Sequence, residues 1–154
     1  IVRKNLLGNA RSDTPTLLNW DVYANNESMF NTPATYAWYL AGLVFDWIKT
    51  TGGVKAISKI NESKASKLYD YIDSSDFYSN SIKVSERSWM NVTFNLKNTE
   101  LETAFLEQSK LAGLLSLKGH KAFGGMRASI YNAMPEDGID TLIDFMKKFA
   151  LENA

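Results

Sequence analysis

The sequence contains no cysteine, so disulfide bonds, thiolate nucleophiles and zinc sites built on cysteine are excluded. Its single histidine, His120, leaves too few imidazoles for a histidine-based metal site, and no metal ligands are predicted. An excess of basic charge is also lacking, because 17 lysines and arginines balance 17 aspartates and glutamates. A nucleic-acid-binding protein would show a basic face, so nucleic acid is not a predicted partner. Any anionic ligand must be captured locally, by a few residues.

Long hydrophobic runs are missing as well. The uncharged stretch at residues 36–45 is far shorter than the ~20 residues needed to cross a bilayer, and no signal-peptide pattern opens the chain. We therefore predict a cytoplasmic protein without a membrane partner. Ile1 and Val2 run directly into Arg3 and Lys4, a pattern typical of the end of a strand that began earlier. This favours a fragment of a longer protein over a numbering that merely omits an initiator methionine.

With 45% hydrophobic and 22% charged residues, the 154-residue chain has the composition of an ordinary globular domain. Residues 8–31 show no sustained period and predict an extended linker. A helix is then predicted at about residues 33–51, with Thr32 as its cap, Pro33 at its first position and Gly52 at its end. This helix is apolar nearly all round, which indicates burial at a domain or subunit junction.

The remaining chain alternates helical and strand patterns. A helix with one apolar stripe follows Gly53, residues 90–96 alternate as in a half-buried strand, Thr99 and Glu102 form a capping box, and Leu114 starts a short strand. Residues 126–131 suit another strand. A last helix opens at Pro135, and its predicted buried stripe comprises Ile139, Leu142, Ile143, Met146 and Phe149. The predicted fold class is α/β (α+β), a two-layer sandwich with a mixed or antiparallel sheet covered by helices.

Residues 119–127 are the segment best suited to binding a ligand. They place His120, Lys121 and Arg127 among three glycines, which let the backbone approach a ligand closely. Arginine suits a carboxylate because its planar fork makes two parallel hydrogen bonds, whereas lysine or histidine serves a phosphate as a compact charge. The alternative, open on the residues alone, is a turn with solvated charges and a satisfied loop histidine.

Asn31 and Thr32 also have two interpretations. They can act as a simple helix cap. Alternatively, the unpaired N–H groups and positive dipole end of the following helix bind a phosphate, assisted by the Asn and Thr side chains. The two interpretations are compatible.

Three segments together resemble the signature segments of the phosphoserine aminotransferases. They are residues 28–39 (SMFNTPATYAWY), 119–121 (GHK) and 124–135 (GGMRASIYNAMP), and the likeness covers essentially the whole chain in order. The resemblance implies the small C-terminal domain of a fold-type I aminotransferase, with residues 1–31 ending the large cofactor-binding domain and linker, and residues 32–154 forming the small domain. It also implies a homodimer with active sites at the subunit interface.

The resemblance further implies a pyridoxal 5'-phosphate enzyme that exchanges an amino group between glutamate and 3-phosphohydroxypyruvate. By position, Asn31 and Thr32 would bind the phosphate of the cofactor that belongs to the partner subunit, and Arg127 would hold the substrate α-carboxylate. His120 and Lys121 would face the substrate phosphate. The family usually has arginine after this histidine, so Lys121 keeps the charge but lacks the fork. The products, phosphoserine and 2-oxoglutarate, place the family in serine biosynthesis and, in bacteria, also in pyridoxine biosynthesis.

The family's Schiff-base lysine precedes the strand that ends near Arg3, so no catalytic residue is predicted in this chain, and the chain alone is expected to be inactive. Two other hypotheses stay open. One is an aminotransferase of the same fold for a substrate without phosphate, although His120 and Lys121 would then lack an anion to pair with. The other is a non-catalytic assembly or carboxylate-binding module.

Overall fold

A computed structural model describes residues 1–122 and 124–153. The chain divides into two compact units, Ile1–Trp47 and Ile48–Ala154, which are described separately. The domain division at residue 31 inferred from the resemblance stays a prediction.

The first unit is built from short elements. Residues 1–3 have no regular structure, so the strand end predicted from Ile1 and Val2 is wrong. The Asn19 side chain caps the following short helix by accepting a hydrogen bond from the Asp21 N–H at 3.0 Å. The elements are 3-10 turns at Lys4–Leu6 and Thr16–Leu18, helix α1 at Trp20–Ala24, and the start of helix α2, which spans Thr35–Thr50.

Helix α2 begins two residues later than predicted. The Ala34 carbonyl accepts the first helical hydrogen bond, from the Trp38 N–H at 3.0 Å. The Pro33 carbonyl instead closes a tight turn with the Thr35 N–H at 2.8 Å. Pro33 therefore precedes the helix, and Thr32 is not its cap, which leaves the Thr32 side chain available for another role.

No part of the described chain buries the apolar surface of α2. None of its residues is buried, and the exposed fractions of Tyr36 and Phe45 are 74% and 61%. The burial predicted from its composition is thus not found within the described residues.

The second unit has two layers. Three antiparallel strands lie in the order β1-β2-β3, and helices pack on one face of this sheet. Its elements are α3 (Gly53–Ser74), β1 (Tyr78–Ser79), β2 (Asn91–Leu96), α4 (Glu102–Leu111), β3 (Met126–Ser129) and α5 (Glu136–Asn153), with 3-10 turns at Val84–Glu86 and Thr99–Leu101. The predicted fold class is confirmed, with the sheet antiparallel.

One hydrophobic core joins the inner face of the sheet to the helices. Val92, Phe94 and Leu96 point into it from β2, while the alternate β2 residues lie on the other face. All five apolar residues of the predicted α5 stripe are buried. Phe105 of α4 lies near the centre of the core and is fully buried.

Two local predictions were wrong. Thr99 does not cap α4: it begins the 3-10 turn Thr99–Leu101, which is capped by Asn98, whose side chain accepts from the Glu100 N–H at 3.1 Å, and α4 itself has no side-chain cap. The segment starting at Leu114 forms no named strand, and only Lys118 makes an isolated β-bridge, to Met126. Across residues 1–122 and 124–153, no helix is long and apolar enough to cross a membrane.

Candidate anion-binding site

A hairpin built on β3 carries the three predicted substrate-binding residues. The Arg127 N–H donates to the Leu117 carbonyl at 2.7 Å, and the Gly119 N–H donates to the Gly125 carbonyl at 2.8 Å. The Gly124 N–H closes the loop by donating to the His120 carbonyl at 2.9 Å. The loop thus carries His120 and Lys121 at its tip and Arg127 on the returning strand. Phe123, the remaining loop residue of this motif, lies outside the described residues.

Two glycines of the hairpin occupy positions with no space for a side chain. A Cβ at Gly119 would meet the carbonyl oxygens of Gly124 and Gly125, the latter at 2.7 Å. At Gly125, where φ is +59°, a Cβ would meet the Asn95 side chain and would lie 2.9 Å from the Phe94 carbonyl oxygen. Close backbone packing, rather than flexibility, accounts for glycine at both positions.

The His120 ring is oriented by the loop backbone. Its Nδ1 accepts a hydrogen bond from the Ala122 N–H at 3.2 Å. In the neutral ring the proton then resides on Nε2. His120 and Lys121 are both exposed at the loop tip. This arrangement can present two positive or donor groups to an anion that approaches from outside the chain.

Arg127 is half-buried, and its side chain has no hydrogen-bond or ion-pair partner among the described residues. Its Nε is fully buried without a hydrogen-bond acceptor. A buried polar atom without a partner is costly, and buried polar groups normally have partners. No described residue pairs with this half-buried guanidinium, and a carboxylate would fit its fork of donors.

The outer face of the sheet supplies polar neighbours to Arg127. Thr93 lies directly opposite it in the β2–β3 register. The Thr93 carbonyl accepts from the Asn80 side chain on the far side of β2, and the Arg127 N–H points away from β2 toward Leu117. The two residues are thus a non-hydrogen-bonded pair, the arrangement in which cross-strand side chains approach most closely.

A second polar pair lies next along the same face. Ser129 pairs with Asn91 in the register, and the Ser129 hydroxyl donates to Asn91 Oδ1 at 3.2 Å. The Tyr131 hydroxyl lies 3.3 Å from the same oxygen. The sequence indicated that Asn91, Thr93 and Asn95 face away from the core, but it missed their proximity to Arg127, because the strand register is not contained in the alternation.

Asn31 and Thr32 belong to the first unit and lie shortly before α2, separated from it by Pro33 and Ala34. Both are exposed, and neither side chain has a hydrogen-bond partner among the described residues. The loop before them has left-handed backbone at two non-glycine residues, Glu27 (φ 51°) and Ser28 (φ 66°). Such conformations persist only where surrounding structure holds them, and they occur often at ligand sites. An exposed amide, a hydroxyl and the N-terminus of a 16-residue helix are suitable donors for a phosphate.

Replacing Gly119 with alanine is expected to destabilise the hairpin by about 1–3 kcal/mol, because the new methyl group would overlap the backbone of the opposite strand. Thermal unfolding of the full-length protein measures the effect. Gly42→Ala is the matched control, since a Cβ at Gly42 meets nothing within 4 Å and φ there is not positive. Equal stability of the two variants would contradict the packing argument.

Comparison with known proteins identifies the family. A family model described as aminotransferase class-V matches residues 2–142. The chain belongs to the class-V aminotransferases. The resemblance stated from the three sequence segments is therefore confirmed at the level of the family.

Among similar sequences, this class-V aminotransferase chain matches several phosphoserine aminotransferases. The protein of Hahella chejuensis (strain KCTC 2396) is 57% identical over 154 residues, which is 100% of this chain and 43% of the relative. The protein of Ruthia magnifica subsp. Calyptogena magnifica is 54% identical over 153 residues, 99% of this chain and 43% of the relative. The chain thus spans less than half the length of these relatives.

Three solved structures of phosphoserine aminotransferases also match this chain. Phosphoserine aminotransferase from Bacillus circulans subsp. alkalophilus matches with a TM-score of 0.94 at 40% identity, over 99% of this chain and 43% of that one. The Trichomonas vaginalis enzyme, described as PLP bound, matches with a TM-score of 0.83 at 37% identity, over 90% of this chain and 40% of that one. A phosphoserine aminotransferase structure concerned with radiation damage of the Schiff base has a TM-score of 0.92 at 45% identity, over 99% and 42%.

Proposed function

We propose that this chain is the C-terminal part of a phosphoserine aminotransferase, which transfers an amino group between glutamate and 3-phosphohydroxypyruvate to give phosphoserine and 2-oxoglutarate. The observation that carries the proposal is the half-buried Arg127 side chain, which has no partner among the described residues, on the hairpin with His120 and Lys121. The relatives with this name that match the whole chain support it. A non-catalytic module is not favoured, because the similar proteins are aminotransferases.

Arg127 would bind the α-carboxylate that both substrates share. A carboxylate would accept two parallel hydrogen bonds from the guanidinium of this half-buried arginine. Thr93, which lies opposite Arg127, gives the substrate a polar surface beside the guanidinium on the same face of the sheet. This clamp would orient the substrate before any chemistry occurs.

His120 and Lys121 would bind the substrate phosphate. The Ala122 N–H fixes His120 Nδ1 as an acceptor, so Nε2 is the atom that donates to a phosphate oxygen. Lys121 adds a flexible positive charge beside it. The two residues discriminate a phosphorylated substrate from a plain one, whereas Arg127 serves both.

The cofactor implied by the family is pyridoxal 5'-phosphate, and the donors at Asn31 and Thr32 fit its phosphate group. When bound, the cofactor supplies an electron sink for the carbon that exchanges the amino group. Asn31 and Thr32 would hold and orient the phosphate end by donating from the amide and the hydroxyl. The cofactor so held would be the one attached to the partner subunit of a homodimer, and the lysine that anchors it would lie in the larger part of the enzyme.

The wider setting follows from this assignment. Residues 1–31 would end the large domain and linker, and residues 32–154 would form the small domain with α2 between the two. The complete enzyme would be cytoplasmic and would act in serine and pyridoxine biosynthesis. The chain alone would be inactive because it lacks the anchoring lysine.

The phosphate assignment is tested in the full-length protein with the variant His120→Ala. It is expected to lower kcat/KM for 3-phosphohydroxypyruvate by about 10–100-fold, since a donor to a charged group contributes about 1.5–3 kcal/mol, and to leave the glutamate half-reaction nearly unchanged. Steady-state kinetics with each substrate varied gives the two values. Equal losses for both substrates would contradict a phosphate-specific role, and the absence of any transaminase activity in the wild-type protein would refute the proposed function.

A further inference from the structure

Lys64 of helix α3 is a fully buried lysine without a carboxylate contact among the described residues. Its exposed fraction is 0%, and its Nζ donates to the carbonyls of Tyr131 and Met134 at 2.9 Å each and of Ile130 at 3.4 Å. Lysine is almost never fully buried unless it is paired, because removing the ammonium from water is costly. Three carbonyl acceptors from one turn surround the ammonium, so the contact is a specific one.

Two opposing effects act on the pKa of Lys64, and burial is the larger. Burial lowers the pKa of its ammonium, and the charge of Glu136, at the start of α5, opposes that effect. A methionine-like residue would fill the same space without this desolvation cost. The ammonium gives the turn a donor of three hydrogen bonds, which a methionine could not supply.

Asn61 makes a second polar contact from the same face of α3. It lies one turn before Lys64, and its Nδ2 donates to Asn132 Oδ1 at 2.8 Å. Ile57 and Leu68 occupy the same buried stripe, so packing holds this face of the helix in place. Together Lys64 and Asn61 hold the turn at residues 130–134 from the side of the helix layer.

This turn is the direct continuation of the strand that carries Arg127. The Ile130 N–H still belongs to the sheet, since it donates to the Met90 carbonyl at 2.8 Å, while the Ile130 carbonyl faces Lys64. On the outer face, the Tyr131 hydroxyl lies within hydrogen-bond distance of Asn91. The end of β3 is therefore held between the helix layer and the polar face of the sheet.

We propose that Lys64, supported by Asn61, is a positioning residue for the Arg127 carboxylate site: it fixes the turn at residues 130–134 and so the placement of β3. The inference rests on the proposed function of Arg127. Lys64 itself touches no substrate. A displacement of about 1 Å at a binding group is sufficient to lower kcat/KM by up to about 100-fold, so fixing the strand end has a kinetic consequence.

The test uses the full-length enzyme with Lys64→Met. We expect the KM for glutamate to rise about ten-fold while kcat changes little, because the carboxylate clamp is displaced and the chemistry is not. Lys67→Met is the matched control on the same helix, since Lys67 is partly exposed and pairs with Asp140 at 2.8 Å. It should leave both constants unchanged. Because Lys64→Met risks misfolding, Asn61→Ala serves as a milder second variant, with an expected rise of about three-fold.

Combination with Arg127→Ala separates positioning from general stability. If Lys64 acts through Arg127, the double variant Lys64→Met/Arg127→Ala should show no higher KM than Arg127→Ala alone. A further rise in KM, or unchanged KM in both Lys64→Met and Asn61→Ala despite lower melting temperatures, would overturn the positioning role. If Arg127→Ala itself leaves KM unchanged, the proposed function of Arg127 fails instead, so the two failures are distinguishable.

Discussion

Replacing Arg127 with alanine in the full-length enzyme is expected to lower kcat/KM by about 100-fold or more for both glutamate and the phosphorylated substrate. Truncating one member of a partly buried, hydrogen-bonded charge pair costs about 2–5 kcal/mol, and the paired substrate carboxylate would be left without its donors. The effect should be equal for the two substrates because the α-carboxylate is common to both.

The variant Arg127→Lys tests whether the two parallel hydrogen bonds, and not the charge alone, are required. Lysine retains the charge but cannot donate two parallel hydrogen bonds, so the loss should be intermediate, about ten-fold. Lys97→Ala is the control for removing a cation from the same unit, since Lys97 is exposed and lies 3.7 Å from Asp76. Steady-state kinetics with each substrate varied in turn provides the measurement. A loss confined to one substrate would exclude the common-carboxylate role.

Replacing Phe105 with alanine is expected to destabilise the second unit by about 3–5 kcal/mol, the largest stability effect predicted for this chain. Its fully buried ring lies 5.1 Å from the Phe149 ring centroid, 5.2 Å from that of Phe145, and 6.0 Å from those of Tyr78 and Phe94. Removing the ring would leave a cavity at the point where the sheet, α4 and α5 meet, and would delete several edge-to-face contacts.

Urea unfolding of the full-length protein, monitored in the transition of this unit, measures the change. Glu107→Ala is the control, because Glu107 is an exposed residue of the same helix and its substitution should alter the free energy of unfolding by no more than about 0.5 kcal/mol. Phe105→Leu should lie between the two. A Phe105→Ala variant as stable as the Glu107→Ala control would show that the core does not depend on this ring.

Periodicity made the regular elements predictable. The α5 stripe and the alternation along β2 both record which side chains must leave water, and burial of apolar area is the dominant local signal. Helix starts were less predictable. Thr32 and Thr99 have the residue type of a cap, but the backbone turns at Pro33 and Asn98 decided where each helix begins.

The buried polar residues of α3 were the least predictable from the sequence. Asn61 and Lys64 fall on the buried stripe of α3 with Ile57 and Leu68, yet an ammonium on such a stripe is unfavourable unless carbonyls distant in sequence surround it. Those carbonyls belong to a turn more than sixty residues later. No local pattern contains that information.

The candidate anion-binding site also combines features that the sequence predicted with features that only the structure shows. By itself, the sequence determined that His120, Lys121 and Arg127 share a glycine-containing loop and that β2 has one polar face, because residue types and spacing carry this information. Only the tertiary structure decided that Arg127 Nε is buried without an acceptor, that Thr93 stands opposite it, and that Lys64 anchors the end of its strand. Burial and register arise from contacts between distant segments, so they could not be read from the residue types and spacing of the loop.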